Sequence, residues 1–65
     1  MKIKVFLLEM AKLMNKDAKQ ILSFSYIFKN HLINTVGDLK SLNAAEVKEL
    51  DLPIILRKRI YAVLD

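Results

Sequence analysis

The sequence predicts an all-α fold, a compact bundle of four to five short helices in helical hairpins, with an extra apolar helix at the N-terminus. Three observations carry this. One glycine and one proline are the only such residues in 65, and no stretch alternates apolar and polar side chains as a half-buried strand would. Apolar residues recur instead at i, i+3, i+4 and i+7, the spacing that lines one face of a helix. Helix-start signals punctuate the chain at Asp17, Thr35 and Asn43.

The first helix is expected over residues 2–14. Ile3, Phe6, Leu7, Met10, Leu13 and Met14 share one face, and Val5, Leu8 and Ala11 add a second stripe beside it. A core-facing helix needs about 100° of apolar arc, so this one carries more than a core asks for. Asn15 breaks the run, and Asp17 with Gln20 has the spacing of a capping box. The second helix then extends to residue 32, with Ile21, Leu22, Phe24, Ser25, Phe28 and Leu32 on its buried side. The run from Asn34 to Asp38 reads as a turn into a short third helix, capped by Thr35, with Val36, Leu39 and Leu42 inward. Asn43 and Glu46 form a second capping box that opens a fourth helix carrying Val47 and Leu50. Pro53 starts the fifth, since the first helical turn leaves its missing N–H unneeded; Leu56, Ile60, Val63 and Leu64 share a face. The expected division is an N-terminal oligomerisation helix over 1–16 and a helical hairpin domain over 17–65.

Chains this short seldom draw more than about 3–5 kcal/mol from their own core, and disulfides, a metal or a partner chain usually make up the difference. Cysteine is absent, which removes disulfides and thiolate zinc sites, and the single His31 cannot build a metal site alone. No cofactor is expected. Apolar residues are 54% of the chain and mean hydropathy is +0.25, so the remaining support is burial against another chain. The net charge of +4 sits in the first half, where six lysines face only Glu9 and Asp17. Such a balance permits contact with nucleic acid or acidic partners without requiring it. The apolar run from Val5 to Leu8 stops at Glu9, too short for a signal peptide or a membrane span, so neither is expected.

Catalysis is not expected. No Cys–His pair exists, and a Ser–His–Asp site would need His31 to meet Ser23, Ser25 or Ser41 in a chain too short to shape a cleft. His31 is better placed as a cation at the end of the second helix. Gly37 stands alone, so there is no glycine-rich phosphate loop.

Two features remain as candidate sites. Ile3, Leu7, Met10 and Met14 follow the four-three-four spacing of a coiled-coil seam, which fits either a core helix wrapped on both sides or a helix packed on its counterpart in another subunit. The second feature is Ile54 and Ile55 beside the triplet Arg57, Lys58 and Arg59. With Leu56 buried, the turn cannot easily hide both isoleucines, so an apolar knob next to basic charge is a contact site for an acidic-rimmed partner. The bland reading is that one isoleucine fills the core and the triplet is solvated.

The string from Ile33 to Leu39, continuing Ser41 to Val47, resembles the C-terminal domain of the bacterial RNA polymerase alpha subunit, a module of two helical hairpins that binds DNA. Extended through Leu50 to Ile54, it is more similar to the C-terminal domain of the telomere regulator Rap-interacting factor one, a relative in fold. The resemblance covers about residues 25–64. It implies a self-assembly module in a nuclear, telomeric chromatin protein, with a preceding helix that makes the oligomer and a telomeric Rap protein as partner. Vertebrate relatives are implied to bind DNA. Residues Leu39 to Ile60 are also similar to the second half of a sterile alpha motif, but that family's tryptophan is missing, Ile55 stands where a glycine is usual, and the first helix has no counterpart.

DNA binding ranks second. The turn from Asp51 to Ile55 has no glycine to let a phosphate approach, Pro53 removes one donor, and Asp51 carries the wrong charge. Lys40 and the triplet Arg57, Lys58 and Arg59 remain as non-specific backbone contacts. The expected function is therefore a non-enzymatic oligomerisation and protein-interaction module, a homodimer or homotetramer. Its interface is assigned to Ile3, Phe6, Leu7, Met10, Leu13 and Met14. Composition alone fits cytosol or nucleus, and no membrane partner is expected.

Overall fold

The computed structural model describes residues 1–64, which form six helices: α1 (Ile3–Met14), α2 (Ala18–Leu22), α3 (Ser25–Asn30), α4 (Val36–Lys40), α5 (Ala44–Glu49) and α6 (Ile54–Leu64). Beyond one isolated antiparallel bridge between Lys2 and Thr35, the described residues contain no strand. The all-α class expected from the sequence is therefore what the chain forms.

Helix α1 turns its expected stripe inward. Ile3, Phe6, Leu7, Met10 and Ala11 are buried in the same hydrophobic cluster as Phe28, Leu39, Val47, Leu56 and Ile60. Two backbone bonds tie its start to the turn before α4: Ile3 N–H donates to the Asn34 carbonyl (3.1 Å) and Val36 N–H to the Met1 carbonyl (2.8 Å). The division at residue 16 consequently separates no second core. Asn15 closes the helix in the left-handed conformation (φ 55°), with Lys16 N–H donating to the Ala11 carbonyl at 2.9 Å. Asparagine tolerates that backbone better than a branched residue would.

The helix expected over 17–32 is two helices. Ser23 turns its hydroxyl back onto the Gln20 carbonyl at 2.6 Å, competing with the backbone ladder, and Phe24 sits at φ −90°, ψ 0°. Bonds there tighten to the three-residue kind, Phe24 N–H to Ile21 and Ile27 N–H to Phe24, both at 3.1 Å. The break makes residues 25–30 a helix of their own. Ile27 enters the core with Ile21 and Phe28, while Leu32 is 78% exposed. Asp17 caps α2 by accepting from Lys19 N–H (3.2 Å), and Gln20 gives no reciprocal bond.

Beyond α3 the chain turns through Leu32 at φ 60°. Leu32 N–H donates to Lys29 (3.0 Å) and Ile33 N–H to Phe28 (2.8 Å), the paired bonds of a helix end that ordinarily takes glycine at the left-handed position. Buried Ile33 and Phe28 supply the apolar contact that holds it.

Both later caps form as expected. Thr35 Oγ1 accepts from Asp38 N–H (3.1 Å), and Asp38 Oδ2 accepts from the backbone N–H groups of Asn34 (3.0 Å) and Thr35 (3.1 Å). Those two donors, Asn34 first, hold the Asp38 carboxyl below the usual carboxylate range. Asn43 and Glu46 bond reciprocally at 2.9 Å to open α5. The Pro53 carbonyl accepts the first bond of α6, from Arg57 N–H at 2.9 Å, which puts proline at the cap and Ile54 at the first helical position.

A candidate docking surface at the start of α6

The turn between α5 and α6 is built from a leucine at every second position. Leu50 and Leu52 point into the core, and Leu56 follows one helical turn later. The Arg57 guanidinium reaches back over this turn, donating through Nη2 to the Leu52 carbonyl (3.1 Å) and, at 3.5 Å, to the Leu50 carbonyl. Those carbonyls lie where a helix has just ended; the Leu50 carbonyl already accepts from Leu52 N–H at 2.8 Å, and the Leu52 carbonyl takes its bond from the guanidinium. Arg57 is half-buried and belongs to the fold.

With Leu56 and Ile60 fixed inward, the two residues before Leu56 fall about 100° and 200° around the helix, away from the core. Ile54 is 69% and Ile55 54% exposed. Lys58 and Arg59 are exposed beside them. Ile55 also lines a shallow recess of about 200 Å³ with Met14, Ile21, Phe24, Pro53 and Leu56, rimmed by Lys16 and Gln20. The start of α6 thus presents an apolar knob, an apolar recess and a basic border, and among the described residues that line the recess none is acidic.

The interface assigned to the first helix needs correcting on this geometry. Ile3, Phe6, Leu7 and Met10 are buried within the chain's own core, because the four-three-four seam packs against the chain's own later helices; they present no surface to a second subunit. Leu13 is 63% exposed, and Met14 is half-buried at the recess beside Ile55. The outward stripe of α1 is Val5 and Leu8. The basic triplet is also divided: Arg57 is spent on the turn, leaving Lys58 and Arg59. Lys40 does not join them; it lines another recess with Glu9, Val36 and Val63.

A second patch differs in charge. His31, Glu46 and Glu49 line a small recess with Ile33, Leu42 and Leu50, and exposed Leu32 follows His31 in the chain. None of its lining residues lines the recess at the start of α6. Leu32 was not foreseeable from spacing, since α3 ends at Asn30 and Leu32 takes the left-handed turn beyond it. The one signal in the sequence was a helix end with no glycine to take the left-handed position.

No protein-family model, curated protein or solved structure matches the chain. Among the described residues, no helix is long and apolar enough to cross a membrane. No group of three or more metal-ligating side chains gathers there either.

Proposed function

We propose that the chain is a non-enzymatic self-association module in which the start of α6 of one copy docks on the acidic patch of a second. The observation that carries the reading is the exposure of Ile54 and Ile55 next to Lys58 and Arg59. Full burial of an isoleucine is worth roughly 1.5–3 kcal/mol, and Ile54 and Ile55, at 69% and 54% exposure, each forgo about half to two-thirds of that. Complementary charge names the occupant: Glu46 and Glu49 line a recess with His31, the residue before Leu32, and none of that recess's lining residues lines the recess at the start of α6. Two different patches meeting make a heterologous, head-to-tail contact, which closes into a ring or continues as a filament according to its rotation. Of the expected interface, Met14 packs at the edge of the core and lines the α6 recess, and Leu13, next to it in the chain, is exposed. A nuclear, telomeric setting and a Rap-type partner rest on the resemblance alone.

Sedimentation equilibrium tests this with two variants. Ile54→Asp blocks the α6 surface, and an acid in the first turn of a helix suits the dipole, so the fold is kept. Leu32→Lys with Glu49→Lys blocks the other patch. Each alone should be monomeric, and an equimolar mixture should give a complex of two chains that grows no further, because each retains one intact surface. A wild-type chain that is monomeric at millimolar concentration, or variants that assemble like wild type, sinks the proposal.

A further inference from the structure

A third surface lies apart from the recess at the start of α6. Between the start of α1 and α3 runs a groove of about 440 Å³ bordered by Lys2, Lys4, Lys29, Tyr26, Ser25 and Asn34. Among the described residues that line it, none is acidic. The Tyr26 ring is 59% exposed there, whereas the chain's other tyrosine, Tyr61, is half-buried and its hydroxyl donates to the Ala44 carbonyl at 3.2 Å. Lys2 and Lys4 stand at the start of a twelve-residue helix, where the dipole disfavours cations, so the fold gains nothing from their position.

We infer that this groove binds single-stranded nucleic acid. Three lysines along one groove offer contacts to successive phosphates, and an exposed aromatic among them offers a face on which an unstacked base rests. Ser25 and Asn34 supply hydroxyl and amide groups for hydrogen bonds to base edges or sugar. A duplex fits less well, because its bases are already stacked and would leave Tyr26 without a role. An acidic peptide would engage the lysines and ignore the ring. The groove shares no lining residue with the α6 recess, and only the buried Ile33 with the acidic patch. Binding here therefore stands or falls independently of self-association.

The test is fluorescence anisotropy of labelled decathymidylate and decauridylate, with a ten-base-pair duplex and a decaglutamate peptide as competitors, on the Ile54→Asp chain to keep assembly out of the readout. At low salt, binding in the range of about 10⁻⁴–10⁻⁶ M is expected, with a log–log salt slope near −2 for three phosphate contacts on a single strand. Lys29→Gln should reduce that slope by about 0.7. Tyr26→Ala should weaken binding about 5- to 150-fold, the span of stacking on one base, and Tyr26→Phe should restore it. Lys48→Gln, on α5 and outside the groove, should change nothing. Absence of binding at low salt overturns the inference. So does a Tyr26→Ala chain that binds like its parent, or decaglutamate competing as well as the single strand, which would make the groove a peptide site.

Discussion

Leu7→Ala decides whether α1 belongs to the monomer or to an interface. Leu7 is fully buried, with no exposed surface, in the cluster that joins α1 to α3, α4, α5 and α6. Removing a buried leucine side chain costs about 2–5 kcal/mol, the lost transfer energy plus the cavity left behind. A single core of this size supplies only about 3–5 kcal/mol in all. The substitution therefore consumes most of the stability: a cost of about 3 from a total of about 4 kcal/mol leaves a chain roughly one-sixth unfolded at 25 °C. For a domain of 60–100 residues, each kcal/mol moves the melting temperature by about 4–8 °C, so a fall of at least about 10 °C is expected. Urea unfolding followed by far-ultraviolet circular dichroism, at a dilution where sedimentation shows a monomer, reads this directly. A Leu7→Ala chain that loses less than about 1 kcal/mol yet shifts to a smaller assembly would show that α1 buries Leu7 against another subunit, and the placement of α1 in the monomer core would be wrong.

Arg57→Met keeps the length of the side chain but removes the donors to Leu50 and Leu52; a loss of about 1–2 kcal/mol in urea unfolding is expected, and Arg57→Gln should recover part of it. Leu32→Gly relieves a branched residue of left-handed backbone and gives up little burial, so the monomer should gain up to about 1 kcal/mol while its self-association weakens. A less stable Leu32→Gly chain would contradict the cost assigned to that backbone. Asp38 sets part of the acid limb. Its carboxyl lies below its unfolded value, so its contribution is present above the unfolded value and is lost as pH falls through the folded one. Asp38→Asn should lower the melting temperature at pH 7 and flatten its decline on acidification; an unchanged acid limb would remove the Asn34 and Thr35 N–H groups as the cause.

Much of the fold is legible in the residues because its punctuation is chemical. Thr35 with Asp38, and Asn43 with Glu46, stop one element and start the next through bonds those side chains alone can make at that spacing. Leu39, Val47, Leu50, Leu56 and Ile60 fall inward as their periodicity requires. The break in the second helix is not legible. Ser23 is one hydroxyl among helix-compatible residues, and nothing in the spacing marks its bond to the Gln20 carbonyl as a helix end. Downstream, Phe28 stays buried as its spacing requires and Ile27 joins it, while Leu32 falls outside α3, in the left-handed turn beyond Asn30. The seam on α1 fails for a different reason. A stripe at four-three-four spacing buries one face, and the spacing is identical whether the other surface belongs to the same chain or to a second one. The knob at the start of α6 is legible because Leu56 and Ile60 fix the phase and leave no room inside for the two isoleucines before them.

With the inward stripe of α1 counted in the core, Val5, Leu8 and Leu13 remain exposed on that helix, and other exposed apolar side chains lie where local rules are broken. Leu32 holds a position that asks for glycine and exposes its side chain while doing so. Ile54 and Ile55 occupy the first turn of α6, where acids and small polar residues suit the helix dipole better, and at Ile54, 69% exposed, such a residue gives up little burial. In each place a more soluble residue would stabilise the isolated monomer. A sequence whose other choices agree with its fold, down to reciprocal caps at two helix starts, has no structural reason to depart from it at these two points. Glu46 and Glu49 line the recess that holds His31, the chain neighbour of Leu32, whereas Lys58 and Arg59 follow Ile54 and Ile55 on α6. Under the proposed self-association, these exposed apolar features would meet across two copies, and stability surrendered at Leu32 would be recovered on assembly.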